Sequence, residues 1–141
     1  MTRSLAAALL AWMLAPGCFA PPAQTPAGTL VEAATQFADQ LRWAKVDQLV
    51  GVIPPEKRKA FLDRHDKLRE ECEVTEFEIA RAEIGKTRDD GKVRVTFTWH
   101  GKGDWIVHKT TLELTWARRS ERWILLTSRR ANGDPWAFET L

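Results

Sequence analysis

His108 is the side chain whose type and position best suit acid–base chemistry. It shares a two-residue period with Ile106, Thr110, Leu112, Leu114 and Trp116, so it interrupts the apolar face of an expected strand. An imidazole there titrates near neutral pH and can serve as a general base or a ligand anchor. The same position also suits a packed core or rim histidine. A working acid–base site needs a carboxylate aimed into the same space. The other two histidines read differently. His65 follows Phe61 by one helical turn and is expected to pack, while His100 closes a strand and is expected to meet solvent.

Metal and cofactor chemistry find little support. His65, Asp66 and Glu70 share a short helical stretch, but one short face supplies too few ligands for zinc. The chain has no HExxH, no glycine-rich phosphate loop after a strand and no nucleophile elbow, which lowers the standing of the common hydrolase and nucleotide-binding classes. Seven Trp and no Tyr remove the phenol from the acid and oxyanion options. No cofactor is expected.

The second chemically distinctive residue is Cys18. Arg3 is the one charge before Glu32, and Leu5 to Leu14 is wholly apolar. A basic start and an apolar run of about ten residues form a secretory leader, too short for a span of about 20 residues. Residues 1–17 are therefore expected to be removed. Leu14 to Cys18 resembles the lipobox of bacterial lipoproteins, with Leu14 at −4 and Pro16 at −2 instead of the usual spacing. The rival cleavage after Ala20 would place Pro21 first, which ordinary signal peptidase disfavours. Acylation of Cys18 would anchor the chain, since each buried CH₂ contributes about 0.8 kcal/mol. Phe19 where an Asp could stand resembles lipoproteins sent to an outer membrane, where the cell has one. The expected location is the cell envelope, with a periplasmic or secreted chain as the alternative.

Residues 18–28, the lipidated Cys and a Pro/Ala-rich uncharged stretch, read as a semi-stiff tether. Residues 29–141 are enough for one domain with one core. With Cys18 acylated, Cys72 is left as a small apolar residue. With cleavage elsewhere, a Cys18–Cys72 disulfide becomes available.

Twenty-one basic against nineteen acidic residues give a net charge of +2, far from the footprint of a nucleic-acid binder. Export argues against that partner too. The arginines do gather locally. Arg118, Arg119 and Arg122 are expected to share one hairpin tip, with Arg129 and Arg130 at its other end. Such a tip is either a solvated rim or a contact for anionic headgroups or an anionic polymer.

The elements that must position these residues follow from periodicity. Thr29 and Glu32 have capping-box spacing, and Leu30, Ala34, Phe37 and Leu41 form one helical stripe to about Trp43. Val46 to Ile53 reads as a short second helix ended by Pro54-Pro55. Pro55 can open a third helix, running to about Glu70 with Phe61, His65 and Leu68 inward. After Cys72 the period becomes two. Val93, Val95, Phe97 and Trp99 alternate with polar residues in a half-buried strand. A turn centred on Asp89-Asp90 would pair Ile84 with Val95, and a bulge is expected between Val74 and Ala80. A four-residue loop from Gly101 to Asp104 would place Phe97 beside His108. Trp123 to Leu126 is apolar on both parities, the mark of a strand covered on both faces. Trp136 and Phe138 are expected to fold the tail back. The fold class is α+β, three N-terminal helices on a four-stranded antiparallel sheet.

This order resembles the nuclear transport factor 2-like superfamily, the cone shared with ketosteroid-isomerase-like proteins. The resemblance spans about Thr29 to Arg130. It rests on the helix through Phe37 and Leu41, on Asp47-Gln-Leu49, on Pro54-Pro55 before Lys57-Arg58, and on the closing Arg122-Trp123-Ile-Leu-Leu126. The resemblance implies a curved, cone-like sheet whose mouth is bordered by the second helix. It thereby nominates Asp47 as the carboxylate for His108. Phe97, Trp99, His108, Thr110 and Trp116 become pocket candidates for a small apolar ligand. Trp105 and Val107 would lie on the sheet's outer face, through which members of this fold often dimerise. The expectation is a lipid-anchored, non-catalytic binding module, with a membrane, a second copy or an envelope protein as partner. The alternative is an isomerase-like enzyme using His108 and Asp47.

Overall fold

Residues 26–136 are described by the structure, a computed structural model, with side chains from Thr29 onward. The leader, Cys18, the tether up to Thr25 and Phe138 lie outside the described residues. Three helices precede a four-stranded antiparallel sheet, α1 (Pro26–Arg42), α2 (Val46–Leu49), α3 (Arg58–Glu71), β1 (Cys72–Ile84), β2 (Asp90–Gly101), β3 (Val107–Arg119) and β4 (Arg122–Gly133). Short 3-10 turns at Val50–Val52 and Pro55–Lys57 join α2 to α3. The class is α+β, with the strands in the order β1-β2-β3-β4. The helices come before the sheet but are not N-terminal in the chain, because α1 begins only at Pro26.

α1 starts three residues before the expected cap. Proline suits a first helical turn, where its missing N–H would be unpaired anyway. Thr29 therefore lies inside the helix, and its hydroxyl accepts a hydrogen bond from the Trp123 indole at 3.2 Å. Leu30, Ala34, Phe37, Ala38 and Leu41 are buried against the sheet. Each fully buried Leu or Phe stabilises the fold by about 1.5–3 kcal/mol. From α3, Phe61, His65 and Leu68 point inward as their spacing predicts.

The register differs from the expectation at two turns. The connection between β1 and β2 runs from Gly85 to Asp89, closed by Gly85 N–H to Asp90 O at 2.8 Å and by Thr87 Oγ1 on the Asp90 carboxylate at 2.7 Å. Ile84 consequently faces Gly91, Ile79 faces Val95 and Phe77 faces Phe97. Large residues meet large ones, which buries more apolar area than the small-on-large pairing expected from a two-residue turn. Between β2 and β3 the loop is also longer, so Trp99 rather than Phe97 lies opposite His108. The expected bulge is present, the pairing shifting between Val74 and Glu76 and again between Ile79 and Arg81.

β4 carries two further shifts, opposite Thr111/Leu112 and Thr115/Trp116. The second leaves Leu126 without a partner residue and turns its carbonyl toward the Lys57 ammonium. This accounts for the double parity of Trp123 to Leu126. Trp123 and Leu125 are buried before the shift and Ser128 after it, while Ile124 and Leu126 are half-buried. The Ser120-Glu121 turn has positive φ at both residues, 48° and 63°, as a two-residue hairpin of this twist requires.

The molecule has two distinct ends. At the entry end, α1 begins beside Trp123, and a Cβ on Gly91 would come 2.5 Å from Leu30 Cδ2. The Glu83 carbonyl of β1 would lie 2.8 Å from the same Cβ, so Gly91 is required by the backbone of the neighbouring strand as well as by the approach of α1. The β1–β2 and β3–β4 turns lie at this end. At the far end, Leu41 and Trp43 meet Cys72 and Lys102 around one cleft. Seventeen residues of α1 separate the two ends by about 25 Å.

Candidate functional site

The expected pocket residues do come together, but as a packed network. His108 stacks on Trp99 with ring centroids 4.4 Å apart, and Trp99 stacks on Trp136 at 5.9 Å. The Trp99 indole donates to Thr110 Oγ1 at 3.0 Å, and that hydroxyl donates onward to the Asp134 carbonyl at 2.7 Å. His108 Nδ1 lies 3.1 Å from the Asp134 carboxylate. Phe97 is fully buried and touches Trp136 at 4.9 Å, and Trp116 is fully buried with its ring edge-on to Phe37. Trp136 thus packs the chain after β4 onto the sheet, as its position suggests.

A His–Asp pair of this kind orients an imidazole and can support base chemistry. Its other neighbours here are the Trp99 ring and the strand backbone, and the pair ties the segment after β4 to β3. Asp47 is not part of it. That carboxylate is exposed on α2, lining a cleft with Lys45, Gln48 and Arg69. Sequence reasoning missed Asp134, whose Asn132-Gly133-Asp134-Pro135 context reads as a turn. Gly133 does make that turn, with φ at +88°.

The far end presents a different surface. A cleft of about 400 Å³ has Leu41, Leu68, His65 and Cys72 in its wall and Trp43 and Lys102 at its rim. Burial pushes the His65 pKa down and the Cys72 thiol up, the latter helped by Glu71 and Asp104. Cys72 is half-buried with a free thiol. Trp43 remains 59% exposed, with the Arg42 guanidinium 5.0 Å above its ring. The β2–β3 loop and the first residue of β3 carry Trp105, Ile106 and Val107 at 88%, 62% and 65% exposure. His100 is more covered than expected, since the Trp105 ring lies 5.6 Å from it.

The outer face of the sheet carries a charged cluster around Glu113. Glu113 is 8% exposed, receiving Arg129 at 2.9 Å and Arg94 at 3.1 Å, with Lys92 at 3.7 Å. The hydrogen bonds from Arg129 and Arg94 hold its carboxyl below the usual range. Three basic side chains lie over this carboxylate, so it is hidden by them and not by the core. Arg129 therefore lies midway along β4, opposite Glu113, not at an end of the hairpin. The sequence signal was a lone Glu on the outward parity of β3.

Arg118, Arg119 and Arg122 do share the β3–β4 tip, with Arg119 opposite Arg122. Arg118 is engaged by Glu121. Arg119 and Arg122 instead border a pocket of about 260 Å³ with Arg58, over Ile53, Pro55 and Ile124. Among the described residues, no group of three or more His, Cys, Asp or Glu could hold a metal ion. No helix among them is long and apolar enough to cross a membrane.

No protein-family model matches the chain, and no curated protein matches it. Solved structures do share its fold. A SEC-C motif containing protein from Rhodopseudomonas palustris superposes with a TM-score of 0.58 at 16% identity, over 67% of this chain and 73% of that one. The intermembrane space region of the chloroplast protein ARC6 gives 0.56 at 11% identity, over 77% and 98%. A protein of unknown function with a cystatin-like fold from Nostoc punctiforme gives 0.54 at 15% identity, over 76% and 90%. At such identities the likeness is one of fold alone. The expected membership of the nuclear transport factor 2-like superfamily is corrected by these findings. None of the three is described as nuclear transport factor 2-like, and no family model supports it. The expectation followed from element order and short motifs that recur in many α+β folds.

Proposed function

We propose that this chain is an exported, lipid-anchored module that binds and assembles rather than catalyses. One observation carries the reading. Trp43, Trp105, Ile106 and Val107, the large apolar side chains left exposed among the described residues, gather at the far end. The chain enters α1 at the opposite end. A tether on one end and exposed apolar side chains on the other suit a domain held at a membrane and presented to a partner. The leader at residues 1–17 and the lipobox-like Cys18 supply the tether. The location that follows is the cell envelope, on the outer membrane where the cell has one.

The bulged sheet curving over α1 suits a cone whose interior is filled by Phe97, Leu112, Leu114 and Trp116, all at most 1% exposed. That packing favours a binding module over an enzyme. The rival use of His108 with Asp47 draws no support from their positions, one bonded to Asp134 and the other exposed on α2. The partner assigned to the far end is a second copy of the chain.

Membrane fractionation with mass measurement of the mature N-terminus tests the anchor. A membrane-bound chain beginning at acylated Cys18 is expected, and an unmodified chain beginning at Pro21 overturns it. Sedimentation velocity of the same protein tests the partner. Concentration-dependent dimers abolished by Trp105→Ser are expected, and a monomer at every concentration removes the second copy.

A further inference from the structure

The arginine pocket at the entry end has a composition unlike the rest of the surface. Its floor is apolar, formed by Ile53, Pro54, Pro55 and Ile124, and three guanidinium groups border it, Arg58, Arg119 and Arg122. Among the described residues no carboxylate lines it. The nearest acids along the chain are Glu56 and Glu121, and Arg118 engages Glu121. Arg58 is held in place by its Nε donating to the Ile53 carbonyl at 3.1 Å, which leaves its terminal NH₂ groups for another acceptor. Among the described residues Arg119 and Arg122 make no ion pair. On the outer face of the sheet, by contrast, Arg94 and Arg129 are matched by Glu113.

The second observation is where the pocket lies. Arg122 precedes Trp123, whose indole bonds to Thr29 in the opening of α1. The arginines are therefore next to the point where the chain enters the domain. Eight residues, Cys18 to Thr25, precede α1. Even fully extended they reach only about 26–29 Å. A lipid on Cys18 would keep the entry end within that distance of the bilayer, while the far end is about a further 25 Å away along α1.

We propose that Arg58, Arg119 and Arg122 form a headgroup site for an anionic phospholipid of the membrane that holds Cys18. The phosphate takes the guanidinium donors, and the apolar floor accepts the glycerol and first methylenes. The domain then stands on its entry end, with Trp43 and Trp105 directed away from the bilayer. This inference rests on the anchored-module reading for its orientation, but its chemistry is testable without acylation.

The experiment uses the full chain carrying Cys18→Ser, so that no acyl chain contributes. Flotation is measured with vesicles of phosphatidylcholine alone and with 30% phosphatidylglycerol added (about a third of the lipid charged, enough for the surface attraction sought). Preference for the anionic vesicles is expected. The triple variant R58Q/R119Q/R122Q should lose it, each neutralised arginine weakening binding about fivefold. A charge-matched control, K67Q/R81Q/K109Q, should bind anionic vesicles as the parent does. Arg119→Gln alone, at an exposed position, guards against misfolding of the triple variant and should weaken binding with an unchanged melting temperature.

Equal binding by the triple variant and its parent overturns the proposal. So does equal weakening by the control, which would mean a diffuse charge effect. Displacement from vesicles by millimolar inorganic phosphate would assign the pocket to free phosphate and overturn the lipid. Mass measurement of the native N-terminus reports separately on the anchor, so failure of one reading is distinguishable from failure of the other.

Discussion

The Trp123 indole donates to the Thr29 hydroxyl at 3.2 Å, joining residues 94 positions apart. This bond fastens the opening of α1 to the start of β4. It also sets the start of α1 beside the arginine pocket. Trp123 is 7% exposed, so most of its contribution is packing. Trp123→Ala is expected to cost about 3–5 kcal/mol. Trp123→Phe keeps a ring and loses the donor, for about 1 kcal/mol. Urea unfolding of both variants separates packing from hydrogen bonding, and equal losses would contradict this division.

Glu113 should dominate the acid limb of stability. Its folded pKa is lowered, chiefly by hydrogen bonds from Arg129 and then Arg94. A carboxyl depressed in the folded state stabilises above its unfolded pKa, about 4.3–4.5, and that contribution is lost as pH falls through the folded value. Glu113→Gln should therefore cost about 1–3 kcal/mol at pH 7. Once pH has fallen through the folded value the variant and parent should converge. Chemical denaturation from pH 7 to 2 checks this, and a constant gap across the range would refute it.

A second titration belongs to His65, which is fully buried. Burial lowers its folded pKa, so the folded state resists protonation. Stability is fully present above the unfolded value near 6.5 and falls as pH drops toward the folded value. The slope in that window should approach about 1.4 kcal/mol per pH unit at most. His65→Leu should remove that slope between pH 6.5 and 5 while leaving the Glu113 limb below it. Melting temperatures across that window in both proteins provide the measurement.

Cys72 is free and half-buried, and burial raises its pKa. Its thiolate fraction at pH 8 is correspondingly small. Reaction with a water-soluble disulfide reagent should be at least about tenfold slower than for a free thiol. It should accelerate in urea as the cleft opens. Rapid modification of the folded protein at pH 8 would show that the thiol is neither shielded nor shifted.

Much of the fold could be read along the chain. The i, i+4, i+7 stripe of Leu30, Ala34 and Phe37 and the alternation from Val93 to Trp99 report local periods that burial on one face imposes. They set element type and inward residues, and both agree with the structure. Register was less legible. A turn's length depends on side-chain bonds such as Thr87 to Asp90, and those compete with several turn choices of similar local energy. Moving the β1–β2 turn changed every pairing on that hairpin.

The candidate sites divide on the same line. His108, Trp99 and Thr110 were nominated by the face they share, which is a local property. Their partners Asp134 and Trp136 became visible only when the segment after β4 folded across β3. Asp47 was nominated through a resemblance, and its exposed place on α2 does not bring it to His108. The sequence alone raised the expectation of a leader and an acylated Cys18, both outside the described residues, and the clustering of arginines at one hairpin, because charge, length and apolar runs are additive along a chain. Only tertiary structure decided which end of the fold α1 starts from, which arginines Glu113 takes, and that Arg58 joins Arg119 and Arg122. Those outcomes depend on contacts between residues well apart in sequence, 16 and 19 positions for Glu113 with Arg129 and Arg94 and 94 for Thr29 with Trp123, and no local pattern encodes them.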